Sequence, residues 1–191
     1  MPDLILASAS PRRAELLKRI GLDCQVIPSN FEEKNCSDLS PEIMAVTFAR
    51  SKARNVASRV EKGLVIGADT IVVLDEHTLG KPESYEEAFD ILSKMSGRIH
   101  EVITGLTVWE KETGNHKSIY SSTRVWFREL TGEEIKAYIK TGEPMDKAGA
   151  YGIQEQGALF VEKIEGCYFN VVGLPLAELG KLLVFFGYKL F

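Results

Sequence analysis

The segment Gly63-Leu-Val-Ile-Gly-Ala-Asp-Thr-Ile-Val-Val-Leu-Asp75 has the composition of a β-strand that is buried on both faces. A single carboxylate, Asp69, interrupts its apolar and β-branched residues. Because removing a lone carboxylate from water costs several kcal/mol, or about that order, such a group is normally paired or bound to a cation. We therefore interpret Asp69 as a general base or a metal ligand at a phosphate-handling site, with Gly67 and Ala68 leaving room for a large group to approach. Alternatively, the strand ends before Asp69, which is then a turn residue.

Length and charge set limits on the class of protein. A chain of 191 residues with a net charge of −4 is long enough for one domain, residues 1–191, or for two lobes that share a sheet. The negative charge argues against a nucleic-acid polymer as partner and favours a small anionic ligand held by a local cluster of cations. Three widely spaced cysteines and the lack of a signal peptide or membrane-spanning run predict a cytoplasmic protein without a membrane partner.

A phosphate cradle is predicted near the N-terminus. Residues 3–7 form a short apolar run, and Ser8-Ala-Ser-Pro-Arg-Arg13 leads from it into a helix that ends before Gly21. Arg12 and Arg13 lie in the first helical turn, where the helix dipole disfavours cations, so we expect an anion to bind there. Serine hydroxyls, helical N–H groups and guanidinium groups together suit phosphate. Alternatively, both arginines are solvated on a surface helix.

A second cation is predicted to face Asp69. Ser40-Pro41 opens a helix that reaches about Glu61, and Lys52 falls within its apolar stripe. Either this lysine extends along the apolar surface to reach solvent, or its ammonium points to the same cleft as Asp69. A predicted strand at residues 23–27 leads to two acidic residues. Glu32 is better explained as a solvated turn residue, and Glu33 is a candidate Mg²⁺ ligand.

Two later segments carry further candidate residues. Gly80-Lys-Pro82 suits a rigidly aimed lysine, Lys81, because glycine frees the backbone before it and proline stiffens the backbone after it. Residues 143–154 have no periodic pattern, and small residues around Tyr151 and Gln154 would permit close approach of a flat ligand. The Gln154 amide could hydrogen-bond the edge of a nucleotide base.

The remaining segments predict an α/β protein with a mixed sheet. We expect two capped helices at residues 84–97 and 131–142, and a long antiparallel hairpin formed by residues 98–109 and 118–130. Two final strands are expected at residues 158–164 and 168–173, followed by a C-terminal helix at residues 176–183.

Several segments in one order resemble the motifs of the Maf-like nucleotide pyrophosphatases. They are Ser8-Ala-Ser-Pro-Arg-Arg13, Ala49-Arg-Ser-Lys52-Ala53, Gly67-Ala-Asp-Thr70, Gly80-Lys-Pro82, Ser96-Gly97, Asp146-Lys-Ala-Gly-Ala-Tyr-Gly-Ile-Gln154 and Val172-Gly-Leu-Pro175. The sixth looks like the branch of the family that acts on dTTP and UTP. One departure is Glu155, where the family usually has glycine.

The resemblance implies an extended mixed sheet flanked by helices, with two lobes around a central cleft, as in inosine triphosphatases. It implies a cytoplasmic homodimer that uses a divalent metal, Mg²⁺ or Mn²⁺, to hydrolyse nucleoside triphosphates to monophosphate and pyrophosphate. Asp69 carries over as the catalytic base, and Arg12, Thr70 and Gln154 as positions that matter for substrate choice.

Residue chemistry and resemblance together predict one reaction. Arg12, Arg13, Lys52 and Lys81 would neutralise the triphosphate, Ser8 would line its cradle, and Asp69 would orient or deprotonate the attacking water. Two alternatives remain: a nucleotide-sensing regulator of septum formation without essential catalysis, and a phosphatase that releases orthophosphate.

Overall fold

A computed structural model describes residues 2–32 and 39–191. Glu33, the candidate metal ligand, lies outside these residues. Within the described residues, seven strands form one mixed sheet, in the order β2-β1-β3-β5-β6-β7, with β4 paired to β3. The strands are β1 (Leu4–Leu6), β2 (Gln25–Val26), β3 (Leu64–Leu74), β4 (His77–Leu79), β5 (Ile99–Glu110), β6 (His116–Phe127) and β7 (Val161–Glu165).

The direction of the strands confirms the mixed sheet. β1 is parallel to both β2 and β3, with Leu6 opposite Val26 on one side and Ile66 on the other. β4 is antiparallel to β3, and β7 is antiparallel to β6. Parallel neighbours need a long crossover, which a helix provides.

The helices largely follow the sequence prediction. They are α1 (Pro11–Arg19), α2 (Pro41–Ala57), α3 (Tyr85–Met95), α4 (Gly132–Ile139), α5 (Tyr168–Val172) and α6 (Leu176–Phe185). Pro11 occupies the first turn of α1, and Gly21 beyond its end has φ +74°, as its cap pattern predicts. Thr131 and Glu134 form the predicted capping box of α4. α2 ends at Ala57, earlier than expected.

The prediction of two final strands was half wrong. Only β7 forms, while Gln156–Phe160 is a 3₁₀ helix and the second predicted strand is the helix α5. The buried Asn170 side chain donates to the Val102 carbonyl at 2.8 Å and to Thr123 Oγ1 at 3.0 Å. Thr123 Oγ1 also accepts from the Cys167 N–H at 3.0 Å, so tertiary hydrogen bonds hold the turn at which α5 begins.

The chain divides into two compact units. The first comprises Met1–Asp69, Thr104–Ser121 and Gly173–Phe191, and the second comprises Thr70–Ile103 and Ser122–Val172. A core in the first unit joins the inner faces of β1, α2 and β3, and includes Ile5, Ala53, Val56 and Val65. The larger core of the second unit packs α3 and α4 against strand residues, with Leu92, Met95, Val125 and Ile135 among its members.

None of the helices in the described ranges is long and apolar enough to cross a membrane.

Candidate active site

Asp69 lies inside a continuous strand. β3 continues for five residues beyond it, to Leu74, so the alternative of a turn at Asp69 was wrong. The residue is 6% exposed, and its neighbours Ala68 and Ile66 are fully buried. Its carboxylate is therefore held in a largely water-excluded position, as the apolar pattern of the strand predicted.

Lys52 contacts Asp69 directly. Its Nζ donates to Asp69 Oδ1 at 2.6 Å, and the two side chains are 15% and 8% exposed. The prediction that the ammonium points to Asp69 is confirmed, and the alternative of a solvent-directed lysine was wrong. Because desolvating two charges offsets much of their attraction, an ion pair buried to this extent is weak evidence for a role in stability and more consistent with function.

The pair is brought together by an unusually close approach of α2 to the sheet. A Cβ built on Gly67 would lie 2.2 Å from the Ala49 carbonyl oxygen, and one on Gly105 would lie 2.2 Å from the carbonyl group of Ala45. The large group that we expected to approach Gly67 is therefore the backbone of the helix. Since Lys52 follows Ala49 by one helical turn and Asp69 follows Gly67 by two strand residues, this contact sets their separation.

The turn between β1 and α1 has a defined network of hydrogen bonds. The buried Ser8 accepts at Oγ from the Ser10 N–H at 3.1 Å and from Arg13 Nη1 at 3.2 Å. Arg13 Nε also donates to the Gly173 carbonyl at 2.7 Å. Ser10 occupies the N-cap position, but its side chain makes no capping hydrogen bond. Because two donors approach Ser8 Oγ, its own hydroxyl proton remains the group that it can offer to an anion.

The two arginines have different environments. Arg13 is 9% exposed and its guanidinium group binds the chain itself, so a solvated position was wrong for this residue. Arg12, one position earlier on α1, is partly exposed. The contacts of Arg13 suit a residue that holds the turn, and a direct phosphate contact by either arginine stays a prediction.

In the second unit, Lys81 is linked to the loop that carries Gln154. Lys81 is exposed. The carbonyl of the preceding Gly80 accepts from the Gly149 N–H at 3.0 Å. Gly149 has φ +70°, and a Cβ there would lie 2.9 Å from Val72, so only glycine fits this link. Thr70 and Gln154 are both partly exposed in the same unit.

Sequence reasoning missed two charged residues of this loop. Lys147 is 6% exposed, and its Nζ donates to the Glu143 carbonyl at 2.8 Å and to Asp146 Oδ1 at 2.9 Å. The carboxylate of Glu143 accepts from Tyr138 Oη at 2.7 Å and from the N–H groups of Gln156 and Gly157. No local pattern reveals these contacts, because the Gly157 partner of Glu143 lies 14 positions away in the chain.

No group of three metal-binding side chains occurs in residues 2–32 and 39–191. Mg²⁺ usually takes only one or two protein carboxylates and completes its octahedron with water and substrate phosphate. The hard carboxylate of Asp69 fits such a partial site, and Glu33, the second predicted ligand, lies in the segment that is not described.

The first unit is an α/β arrangement that holds a buried Lys52–Asp69 pair and, before a helix N-terminus, a turn in which Arg13 donates to Ser8. The family model described as "Maf-like protein" matches residues 3–186, and the chain belongs to that family.

Named relatives match the chain over nearly their full length. The dTTP/UTP pyrophosphatase of Carboxydothermus hydrogenoformans is 53% identical over 185 residues, which is 97% of this chain and 99% of the relative. That of Methanosarcina barkeri is 50% identical over 192 residues, covering 100% and 98%. Among solved structures, the Staphylococcus aureus Ham1 protein aligns with a TM-score of 0.47 and 16% identity over 83% of this chain and 90% of its own.

Proposed function

We propose that this protein hydrolyses dTTP and UTP, and modified pyrimidine nucleotides of the same shape, to the nucleoside monophosphate and pyrophosphate. Relatives named for this activity are 53% and 50% identical across nearly the whole chain. The observation that carries the proposal is the buried contact of 2.6 Å between Lys52 and Asp69, because it places a carboxylate and a cation together at a shielded position.

Asp69 is assigned the role of orienting the water that attacks the α-phosphorus and of receiving its proton. Lys52 holds the carboxylate in one orientation through its hydrogen bond to Oδ1. The same ammonium is a source of positive charge for the phosphate oxygens, whose negative charge increases in the transition state. Catalysis of this kind depends mainly on position and charge, since phosphoryl-type transfer requires little covalent chemistry from the protein.

A divalent cation, Mg²⁺ or Mn²⁺, is proposed as the cofactor. Asp69 would contribute one oxygen ligand, and Glu33 is the proposed second. Such an ion neutralises phosphate charge and lowers the pKa of a bound water towards 7. It therefore complements a carboxylate whose ordinary pKa, near 4, makes it a weak base for free water.

The triphosphate is assigned to groups on several elements. Ser8 offers its hydroxyl at the β1–α1 turn, where Arg13 holds the turn and Arg12 offers a second guanidinium group. Lys81 is a further proposed cation. Each group is a hydrogen-bond donor that an anion can accept from.

The base is assigned to Gln154, with Arg12 and Thr70 as further contributors to substrate choice. Uracil and thymine present an acceptor at O4 and a donor at N3, and an amide side chain presents the complementary pair. A site that hydrogen-bonds this edge rejects bases that lack it, because its own polar groups would be left unpaired.

One assay tests the activity. Purified protein incubated with dTTP and Mg²⁺ should release pyrophosphate and dTMP, and Asp69→Asn should lose nearly all turnover while still binding nucleotide. Release of orthophosphate would indicate a phosphatase instead. An Asp69→Asn variant that keeps more than a small fraction of the wild-type rate would contradict the role of Asp69, and a wild type that binds without turnover would favour the nucleotide-sensing regulator.

We propose further that the protein acts in the cytoplasm as a homodimer. The family resemblance supports the homodimer, which sedimentation at micromolar concentration would test. Cys24 and Cys167 are unpaired thiols, which supports a reducing compartment.

A further inference from the structure

Glu143 occupies the start of the loop that carries Gln154. It begins the 3₁₀ helix Glu143–Asp146, directly after Gly142, which has φ +77°. Residues 143–157 contain Gln154, the residue to which we assign the base. The question is what holds this irregular segment in one conformation, since a base-reading amide must be held within a fraction of an ångström.

The carboxylate of Glu143 joins the two ends of this loop. Oε1 accepts from Tyr138 Oη at 2.7 Å and from the Gly157 N–H at 3.1 Å, and Oε2 accepts from the Gln156 N–H at 3.0 Å. Both oxygens are therefore used, and both backbone donors lie within three residues of Gln154. Hydrogen bonds to an ionised acceptor are the stronger kind, about twice as strong as neutral ones.

The same network closes the loop on the other side of Gln154. The Gly152 N–H donates to Tyr138 Oη at 3.3 Å, and a Cβ on Gly157 would lie 2.8 Å from both the Gly152 carbonyl and Tyr138 Oη. Residues 152 and 157 are thus in direct backbone contact. Gln154 lies at the tip of a short closed loop whose base is held by Tyr138 and Glu143.

Tyr138 is suited to remain a donor. The residue is 5% exposed, and its ring packs edge-to-face against Phe160, with ring centroids 4.8 Å apart. Burial, followed by its hydrogen bond to the Glu143 carboxylate, raises the pKa of the Tyr138 hydroxyl well above its usual value. The tyrosine hydroxyl therefore keeps its proton at neutral pH, where it donates to Glu143 and accepts from Gly152.

We propose that Glu143 is a positioning residue for base selection, whose carboxylate fixes the closed loop 152–157 and thereby the orientation of the Gln154 amide. The inference rests on the proposed function of Gln154. Glu143 contacts neither the phosphates nor the water in this scheme, so its removal should affect the discrimination between bases more than the chemical step.

The test is the ratio of kcat/KM for dTTP to that for dCTP, a pyrimidine with the opposite hydrogen-bonding edge. In Glu143→Gln the side chain keeps its shape but loses one acceptor, and an NH₂ group then faces a backbone N–H. We expect the ratio to fall between about tenfold and a hundredfold, the loss typical of a misplaced binding group, mostly through the KM for dTTP. Tyr138→Phe should produce the same loss of discrimination.

Three comparisons separate positioning from a general structural role. Glu162→Gln, the same change on an exposed residue of β7, should leave the ratio unchanged. The double variant Glu143→Gln/Tyr138→Phe should lose no more than either single variant, because both belong to one network. Amide hydrogen exchange of Gly152, Gln156 and Gly157 should accelerate in Glu143→Gln while exchange in α3 stays slow.

The outcomes distinguish this inference from the proposed function. If Gln154→Ala abolishes the preference for dTTP while Glu143→Gln and Tyr138→Phe keep it, the positioning role is wrong and the proposed function stands. If Glu143→Gln lowers kcat/KM equally for both nucleotides, Glu143 serves the fold only, and the inference is likewise wrong. A wild type without pyrophosphate release, or without preference between the two nucleotides, overturns the proposed function itself.

Discussion

Replacing Gly67 by alanine tests whether the contact between α2 and β3 sets the geometry of the Lys52–Asp69 ion pair. The added Cβ would lie 2.2 Å from the Ala49 carbonyl oxygen, 2.8 Å from the Ala53 nitrogen and 2.9 Å from the Ala53 Cβ. Ordinary van der Waals contact begins at 3.4 Å, whereas the added Cβ would lie 2.2 Å from the Ala49 oxygen. The helix and the strand must therefore move apart by about 1.2 Å. Two of the three atoms are backbone, so no side-chain rotation relieves the clash.

This separation has two measurable consequences. Overpacking of this kind costs about 1–3 kcal/mol, and a backbone clash should fall at or above the upper end of that range. The 2.6 Å hydrogen bond between Lys52 and Asp69 should lengthen beyond hydrogen-bonding distance. Because misplacement by about 1 Å can cost about a hundredfold in rate, we expect kcat for pyrophosphate release to fall by roughly that factor.

The assay combines urea unfolding with turnover measured below the unfolding transition, so that the rate refers to folded protein. Gly132→Ala is the matched control, because its Cβ would meet only Phe89, at 3.7 Å, and should leave both quantities near wild type. Ala53→Gly should not rescue Gly67→Ala, since the Ala49 carbonyl remains in place. A Gly67→Ala protein with wild-type stability, or one that is destabilised but turns over normally, would refute the reasoning.

Two further predictions concern stability. His100 is 2% exposed, and burial lowers its pKa to about 4, so the ring stays neutral in the folded protein down to that pH. In the unfolded protein the ring takes up a proton as the pH falls below about 6.5. The free energy of unfolding of the wild type should therefore fall by up to about 1.4 kcal/mol per pH unit between pH 6.5 and 4. In His100→Gln, which cannot titrate, urea unfolding should show a shallower fall, and equal slopes for the two proteins would contradict this. Asp75 and Glu76 have φ +50° and +67° at the β3–β4 turn, where Asp-Gly is favoured. Glu76→Gly should raise stability by about 1 kcal/mol, and Thr78→Gly, within β4, should lower it; a destabilised Glu76→Gly protein would show that the turn is not strained.

Local patterns in the sequence determined most of the secondary structure. The apolar run of β3, the Ser-Pro starts of α1 and α2 and the capping box of α4 depend on residues a few positions apart, whose preferences act within one turn or strand. Asp69 and Lys52 were identifiable for a related reason, because a charge within an apolar stripe or strand stands out against its immediate neighbours.

Only the tertiary structure decided how distant segments meet. Residues 168–172 have an apolar pattern compatible with a strand, and their helix is selected by hydrogen bonds from Asn170 and Cys167 to Thr123, more than forty positions away. Gly67 was correctly read as a site of close approach, but the approaching group is the backbone of α2, which no local pattern reveals. The network of Glu143 likewise depends on Tyr138, Gln156 and Gly157 meeting in space, since the partner of a hydrogen bond is set by the path of the whole chain and not by composition.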